Sequence, residues 1–407
     1  MHEIVGKIQN YDWGKLGKDS KAAQLASYNG TIIEADKPYA ELWMGTHPNG
    51  PSMLKKSNTP LKSIVNAQTV SESIYKQYQD LPFLLKILSI RKALSIQAHP
   101  DKKLASKLHA EFPNIYKDSN HKPEMAVALT DFQAFIGFRP LNEIATHLID
   151  YPEFSGLLGN ALATESIQLF QSKFQSNLST DIENNKNQLK LVFEKLQNTG
   201  QEELNTSIEA LMLRIQDSSS PLDMLLKRLQ IQFPNDVGIY CALLLNFVNL
   251  KPGQAIFLAA NEPHAYLSGV DLVECMAASD NVVRSGLTPK FKDVKTLVEM
   301  LTYNYGPAES NILNGDQYAP NTKEYNPPID EFSILQTTLS NNAVENLPAI
   351  AGPSIIIVTN GQGSIQVGQD TLPAKTGSIF FIEADAPLQM IGTGEQDFIV
   401  YRAFCAL

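Results

Sequence analysis

Only seven histidines occur in this chain of 407 residues, and three of them stand beside other groups able to hold a cation or move a proton. The first lies in Leu94–Ser95–Ile96–Gln97–Ala98–His99–Pro100–Asp101. Alternate side chains of a strand share a face, so Ser95, Gln97 and His99 would project into one space and Leu94, Ile96 and Ala98 away from it. An amide and an imidazole in one space make two metal ligands; the competing reading is the polar face of an exposed strand. The second setting is His121–Lys122–Pro123–Glu124–Met125. When extended it places Lys122 and Glu124 on one face, and an ammonium beside a carboxylate keeps it ionised, as a ligand must be. A turn with a surface ion pair is the alternative. The third is Asn261–Glu262–Pro263–His264–Ala265–Tyr266, an imidazole in a proline-containing turn after a strand predicted at Gln254–Leu258. It reads either as a ligand or as a structural turn residue.

Two further segments carry acid–base and anion-binding groups. In Val270–Met276 a strand would set Glu274 on the face of Val270, Leu272 and Met276. Desolvation raises such a carboxyl, which suits a general acid or base near neutral pH; a strand end reaching solvent is the alternative. Ser279–Lys290 reads as a polar loop that contains Asp280, Arg284 and Lys290. Guanidinium and ammonium groups suit oxyanions, although surface loops are commonly charged.

Elements must bring these segments together. The first 140 or so residues read as short strands and turns, with strand-like Phe83–Ile90 and Leu94–His99 and a helix from Asp101 to about Phe112. From Leu141 to Gln232 the apolar spacing becomes helical, as in Leu204, Ile208, Leu211 and Ile215, and again in Leu222, Leu225, Leu226 and Leu229. A further helix is predicted over Val237–Asn249, leading back to strands from Lys251. Tyr305–Pro328, rich in Asn, Pro and Tyr, reads as a linker. The last 75 or so residues alternate and turn like a small antiparallel barrel or jelly roll. Gly361 and Gly363 there make no dinucleotide fingerprint, since no third glycine or helix follows.

Composition narrows the function classes. Net charge is −10 and the pI about 5.3, which disfavours general nucleic-acid binding but leaves room for an anionic small molecule in a locally basic pocket. No apolar run suits a membrane span and the N-terminus lacks a signal core, so a cytoplasmic protein is expected. Three scattered cysteines, Cys241, Cys275 and Cys405, argue against a disulfide framework or a thiolate metal site. No large apolar stripe or heptad pattern is visible, so a monomer is expected.

The strings IQAHPDKKLA, HKPEMAVAL and SDNVVRSGLTPKFKD resemble the type I mannose-6-phosphate isomerase family. YDWGK, ELWMGTHPNGPS and PFLLKILSI extend the resemblance in order over essentially the whole chain. The resemblance implies a mainly β protein: a cupin or jelly-roll catalytic domain (1–140 plus 235–320), an inserted helical domain (141–234) and a second cupin-like domain (321–407). It implies one zinc ion held by Gln97, His99, Glu124 and His264, with Arg284 catalytic and Lys122 and Glu274 beside the metal as proton-transfer candidates. It further implies Ser95, Lys86, Lys290, Tyr266 and Asp280 as contacts to a sugar-phosphate substrate. The implied reaction interconverts mannose 6-phosphate and fructose 6-phosphate through an enediolate. Met44 and Ser285 depart from residues common in the family, Trp and Ala, at positions not expected to touch the chemistry. Two other readings stay open: an iron-dependent cupin dioxygenase, which normally presents more histidines than this set, and a sugar-binding cupin, in which Arg284, Lys122 and Glu274 would be idle.

Overall fold

The structure, a computed structural model, describes residues 1–407. A seven-stranded antiparallel sheet lies at its centre, with Glu124–Ala128, Val270–Ala277 and Phe83–Ile90 as neighbours in its middle and Glu41–Met44 next to Phe83–Ile90. Both faces of this sheet are covered. Phe83, Leu85, Ile87, Val273 and Cys275 point one way, into a core shared with Ile355, Ile357, Phe381 and Tyr401 of the C-terminal region. Leu88, Ile90, Val270 and Leu272 point the other way, onto Phe132, Ala134, Val248 and Tyr266. Burial of both faces explains why Phe83–Ile90 is an almost unbroken apolar run rather than an alternating one. The one charge in that run, Lys86, therefore needs a partner inside.

The sheet facing the inner side has five antiparallel strands, in the order Leu245–Leu250, Phe132–Phe138, His264–Tyr266, Ile96–Ala98 and Val283–Gly286. Its outer face packs Ile96, Ala98, Phe135, Ala265 and Val283 against the helices that run from Leu141 to Gln232. On the far side, an eight-stranded sheet and a four-stranded sheet enclose Leu335, Ile356, Phe380 and Met390. The layers thus run from helices through the five-, seven-, eight- and four-stranded sheets. The N-terminal strand His2–Val5 pairs with Ile379–Ile382 and belongs to the eight-stranded sheet.

Several local expectations change. The helix predicted over Val237–Asn249 is a single turn, Gly238–Cys241, followed by the strand Leu245–Leu250 paired with Phe132–Phe138. Its apolar run fits either period; ladder pairing decides, and Asn246 donates to the carbonyls of Phe138 and Gly306 at 3.1 and 3.0 Å. Tyr305–Pro328 is not a loose linker. It holds the strands Ile312–Leu313, Asp316–Ala319 and Thr322–Tyr325, anchored by the buried Tyr325. Leu94–His99 is strand only at Ile96–Ala98, and the loop expected at Ser279–Lys290 contains the strand Val283–Gly286. The Leu204-to-Ile215 spacing does mark a helix, Gln201–Arg214, with all four residues buried.

Candidate active site

Register across the two facing sheets assembles the site. In the central sheet Trp43 stands opposite Lys86, Lys86 opposite Glu274, and Glu124 opposite Met276. In the five-stranded sheet Arg284 stands opposite Gln97, and Gln97 opposite His264. The two rows face each other across a cavity of about 380 Å³ lined by Lys86, Ser95, Gln97, Lys122, Glu124, Tyr266, Glu274, Asp280, Arg284 and Lys290. Every substrate and proton-transfer candidate predicted from the sequence therefore borders one space. His99 and His264 flank Glu124, itself on the cavity wall, at 3.4 and 3.3 Å from Nε2 to Oε2.

The His99–Glu124–His264 cluster is suited to a cation. His99 Nδ1 donates to the Asn281 carbonyl at 2.7 Å and His264 Nδ1 to the Glu262 carbonyl at 3.1 Å. Each ring thus turns the lone pair of Nε2 toward Glu124. A hydrogen bond there would need a second proton on the ring. Burial, followed by the charge of Lys122, drives His99 down to about 4, so it stays neutral. His264 Nε2 is buried with no hydrogen-bond partner. Burial alone would raise the Glu124 carboxyl, but the Lys122 ammonium at 2.9 Å outweighs it and holds Glu124 well below the usual range. Two imidazole lone pairs and a carboxylate converge within 4.8 Å of one another, a set that could hold a metal ion. Gln97 lies next to them: Nε2 is 3.5 Å from His99 Nε2, and Oε1 accepts from Ser95 Oγ at 3.2 Å. Half a turn of the amide presents its oxygen to the same point, and the Ser95 hydroxyl can accept from the amide instead.

Glu274 sits beside this cluster, 3% exposed, and accepts a hydrogen bond from Lys86 Nζ at 3.0 Å. Burial raises its carboxyl, while Lys86 pulls the other way and loses. Lys86 also reaches Glu41 at 3.4 Å and lies over the Trp43 ring at 5.2 Å. Burial works against its charge, but Glu274 and Glu41 more than restore it and raise its pKa. The buried Tyr266 hydroxyl has no hydrogen-bond partner in the protein and borders the cavity. Asp280, whose carboxyl is lowered first by its hydrogen bond with His47, faces that ring at 3.3 Å. At the mouth, Arg284, Lys92 and Lys290 have no ion-pair partner; Lys92 Nζ lies 4.4 Å over the Phe233 ring. Cations that no carboxylate pairs, at the rim of a cavity in an acidic protein, favour an anion there.

A family model for the type I phosphomannose isomerase catalytic domain matches residues 1–141, one for its helical insertion domain matches 157–245 and one for its C-terminal region matches 325–370. The chain belongs to the type I phosphomannose isomerase family. Mannose-6-phosphate isomerases of Ogataea parapolymorpha and Saccharomyces cerevisiae are each 45% identical to it, over 100% and 99% of this chain and 98% of each relative. The crystal structure of a phosphomannose isomerase variant from Salmonella typhimurium superposes with a TM-score of 0.85 at 28% identity, covering 100% of both chains. So does a mannose 6-phosphate isomerase bound with zinc and yttrium, at the same TM-score and identity. Against this family, the sequence reading singled out neither Glu41, Trp43 nor Lys92 as site residues, although all three line the cavity. Glu41 did carry a signal: a carboxylate alternating with Trp43 in an otherwise apolar strand.

Proposed function

We propose that this protein interconverts D-mannose 6-phosphate and D-fructose 6-phosphate by aldose–ketose isomerisation. Family membership supports the reaction. The observation that carries the chemistry is the joint placement, on one cavity, of Glu124 with its flanking His99 and His264, a desolvated carboxylate and unpaired cations at the mouth. Gln97, His99, Glu124 and His264 would hold one zinc ion, whose Lewis acidity lowers the cost of negative charge on the substrate oxygens. Two imidazoles, one carboxylate and one amide leave coordination positions for a substrate or water, as a catalytic site needs.

The chain's own groups divide the remaining work. Glu274, ionised, takes the proton from C2 of the open-chain aldose and returns it to C1, while the proton lost by the C2 hydroxyl is matched by one gained at the C1 oxygen, so that C1 becomes the alcohol and C2 the carbonyl. Its raised pKa makes it a better base than an exposed carboxylate. Lys86 holds one of its oxygens, leaving the other toward the cavity. Lys122 keeps Glu124 charged. Arg284 donates to the enediolate oxygens, and its partial burial shields those hydrogen bonds from bulk water. Lys290 and Lys92 attract the phosphate, Ser95 and Tyr266 offer hydroxyls to the sugar, and Asp280 contributes from the rim. We assign the catalytic body to 1–140 with 235–320, the helical domain to 141–234 and the C-terminal domain to 321–407, in a cytoplasmic monomer; no helix is long and apolar enough to cross a membrane.

A coupled assay of fructose 6-phosphate formation tests this reading. Mannose 6-phosphate is supplied to the protein as purified, after chelation, and after zinc is restored. Product that stops on chelation and returns with zinc is the expected result. No turnover by the zinc-loaded protein would overturn it in favour of a binding cupin.

A further inference from the structure

His264 opens one strand and His99 directly follows the neighbouring strand, Ile96–Ala98; the two strands touch through a single register pair, Gln97 opposite His264. One pair is little to hold two imidazoles, with ring centres 5.0 Å apart, at the separation a small cation needs. Just outside the pair, Asn261 spends every polar group it has. Its N–H donates to the His99 carbonyl at 2.8 Å. Its Oδ1 accepts from the Asp101 N–H at 3.0 Å, and its Nδ2 donates to Asp101 Oδ2 at 2.8 Å. Its carbonyl accepts from the Thr302 N–H at 3.2 Å. The residue sits in the left-handed region, with φ of 61°, which asparagine tolerates better than most side chains.

Asp101 is equally committed. While one oxygen holds Asn261, Oδ1 accepts from the Leu104 N–H at 2.8 Å and caps the helix Lys102–Glu111. The chain leaving His99 is thereby stapled to the chain entering His264, and the staple is tied to the start of a helix. The next residue continues the tie: the Glu262 carbonyl takes the His264 Nδ1 proton, while its carboxylate accepts from the Thr302 hydroxyl and, at 2.9 Å, from Asn304 Nδ2.

We infer that the Asn261–Asp101 pair is a positioning device for the metal centre: without touching the ion, it sets the distance and orientation between His99 and His264. The inference rests on the reading that these histidines hold zinc. Partners one step removed from a metal tune its affinity by roughly ten- to a hundredfold, and that effect separates a positioning pair from a mere helix cap.

The test compares N261D with the double variant N261D/D101N in the full-length protein. N261D keeps the acceptor for the Asp101 N–H but sets two carboxylate oxygens against each other where a donor and an acceptor met. Adding D101N returns the missing donor from the opposite side and still leaves an oxygen to cap Leu104. Zinc retention is read by competition with a graded chelator series and by metal content. The thermal midpoint of the chelated, metal-free proteins is measured beside it. N261D should surrender zinc about ten- to a hundredfold more readily than the parent, and the double variant should recover to within about threefold. An N261D protein that holds zinc as tightly as the parent would overturn the inference. So would a double variant as weak as N261D, or a loss confined to the midpoint of the metal-free protein. A parent protein that takes up no zinc would instead bring down the metal reading itself, and the inference with it.

Discussion

The molecule contains two packed pairs of antiparallel sheets, and their interiors could hardly differ more. Between the eight- and four-stranded sheets the core is Leu335, Ile356, Phe380, Met390 and similar residues, and the buried charges among them are few: the guanidinium of Arg402 and the carboxylate of Glu345, which accepts from the Asn321 N–H and the Thr322 hydroxyl. Between the five- and seven-stranded sheets the same kind of space holds Glu41, Lys86, His99, Lys122, Glu124, His264 and Glu274, all buried. Burying that many ionisable groups costs several kcal/mol for each one left unmatched. A sandwich does not need them, as its neighbour demonstrates. Architecture therefore does not distinguish the two regions, whereas the charged rows do, and function is to be sought where stability has been sacrificed.

Substitutions that empty the charged interior should cost activity, and the metal cluster should cost most. His264→Ala removes a ligand and should abolish bound zinc. Several kcal/mol of charge stabilisation are then lost, so turnover should fall by at least about a thousandfold; metal analysis beside the coupled assay checks both. Glu274→Gln keeps the shape and removes the base, and kcat should fall by about a hundred- to ten-thousandfold with zinc retained. The pH profile of the parent carries a sign. Burial raises the Glu274 carboxyl, and the base must be ionised to act. The acid limb of kcat/KM should therefore lie above the range of an exposed carboxylate, with activity lost as pH falls through it. Lys86 lowers Glu274, so Lys86→Met should move that limb to still higher pH. Arg284→Ala should cost about a hundred- to a thousandfold in kcat with zinc content unchanged. Full activity in that variant would remove Arg284 from the mechanism.

What the sequence disclosed about this contrast depended on range. Alternation within one segment was readable: Ser95, Gln97 and His99 do share a side, and Glu274 does face inward with Val270, Leu272 and Met276. Pairing between distant segments was not. Lys86 and Glu274 meet because two strands far apart in the chain fall into one register, and nothing local to either segment announces it. The site residues themselves were reached through family resemblance; without it the bland reading of His121–Met125 as a surface turn would have stood, although Lys122 and Glu124 form a buried pair. Short apolar runs failed for a different reason. Leu245–Leu250 suits a helix or a strand, and only its neighbour Phe132–Phe138 decides.

The dry interior should answer in stability alone. Phe380 is fully buried there, so Phe380→Ala should cost about 3–5 kcal/mol in chemical denaturation, with kcat/KM unchanged well below the transition. Arg402 gives the smallest expected effect and the sharpest test of the contrast. It lies between Leu335 and Ile356 in the ladder and donates from Nε to Ser354 Oγ at 2.9 Å, but its Nη1 is buried without a partner. Burial lowers its pKa to about 10, so at neutral pH it is still charged and bears the desolvation cost. If the charge serves no function, Arg402→Met, which keeps much of the volume, should leave stability within about 1 kcal/mol of the parent or raise it. Arg402→Ala should destabilise instead, because it opens a cavity. A drop in turnover with Arg402→Met at unchanged stability would show that the second sandwich also contributes to the chemistry, and the division between the two interiors would fall.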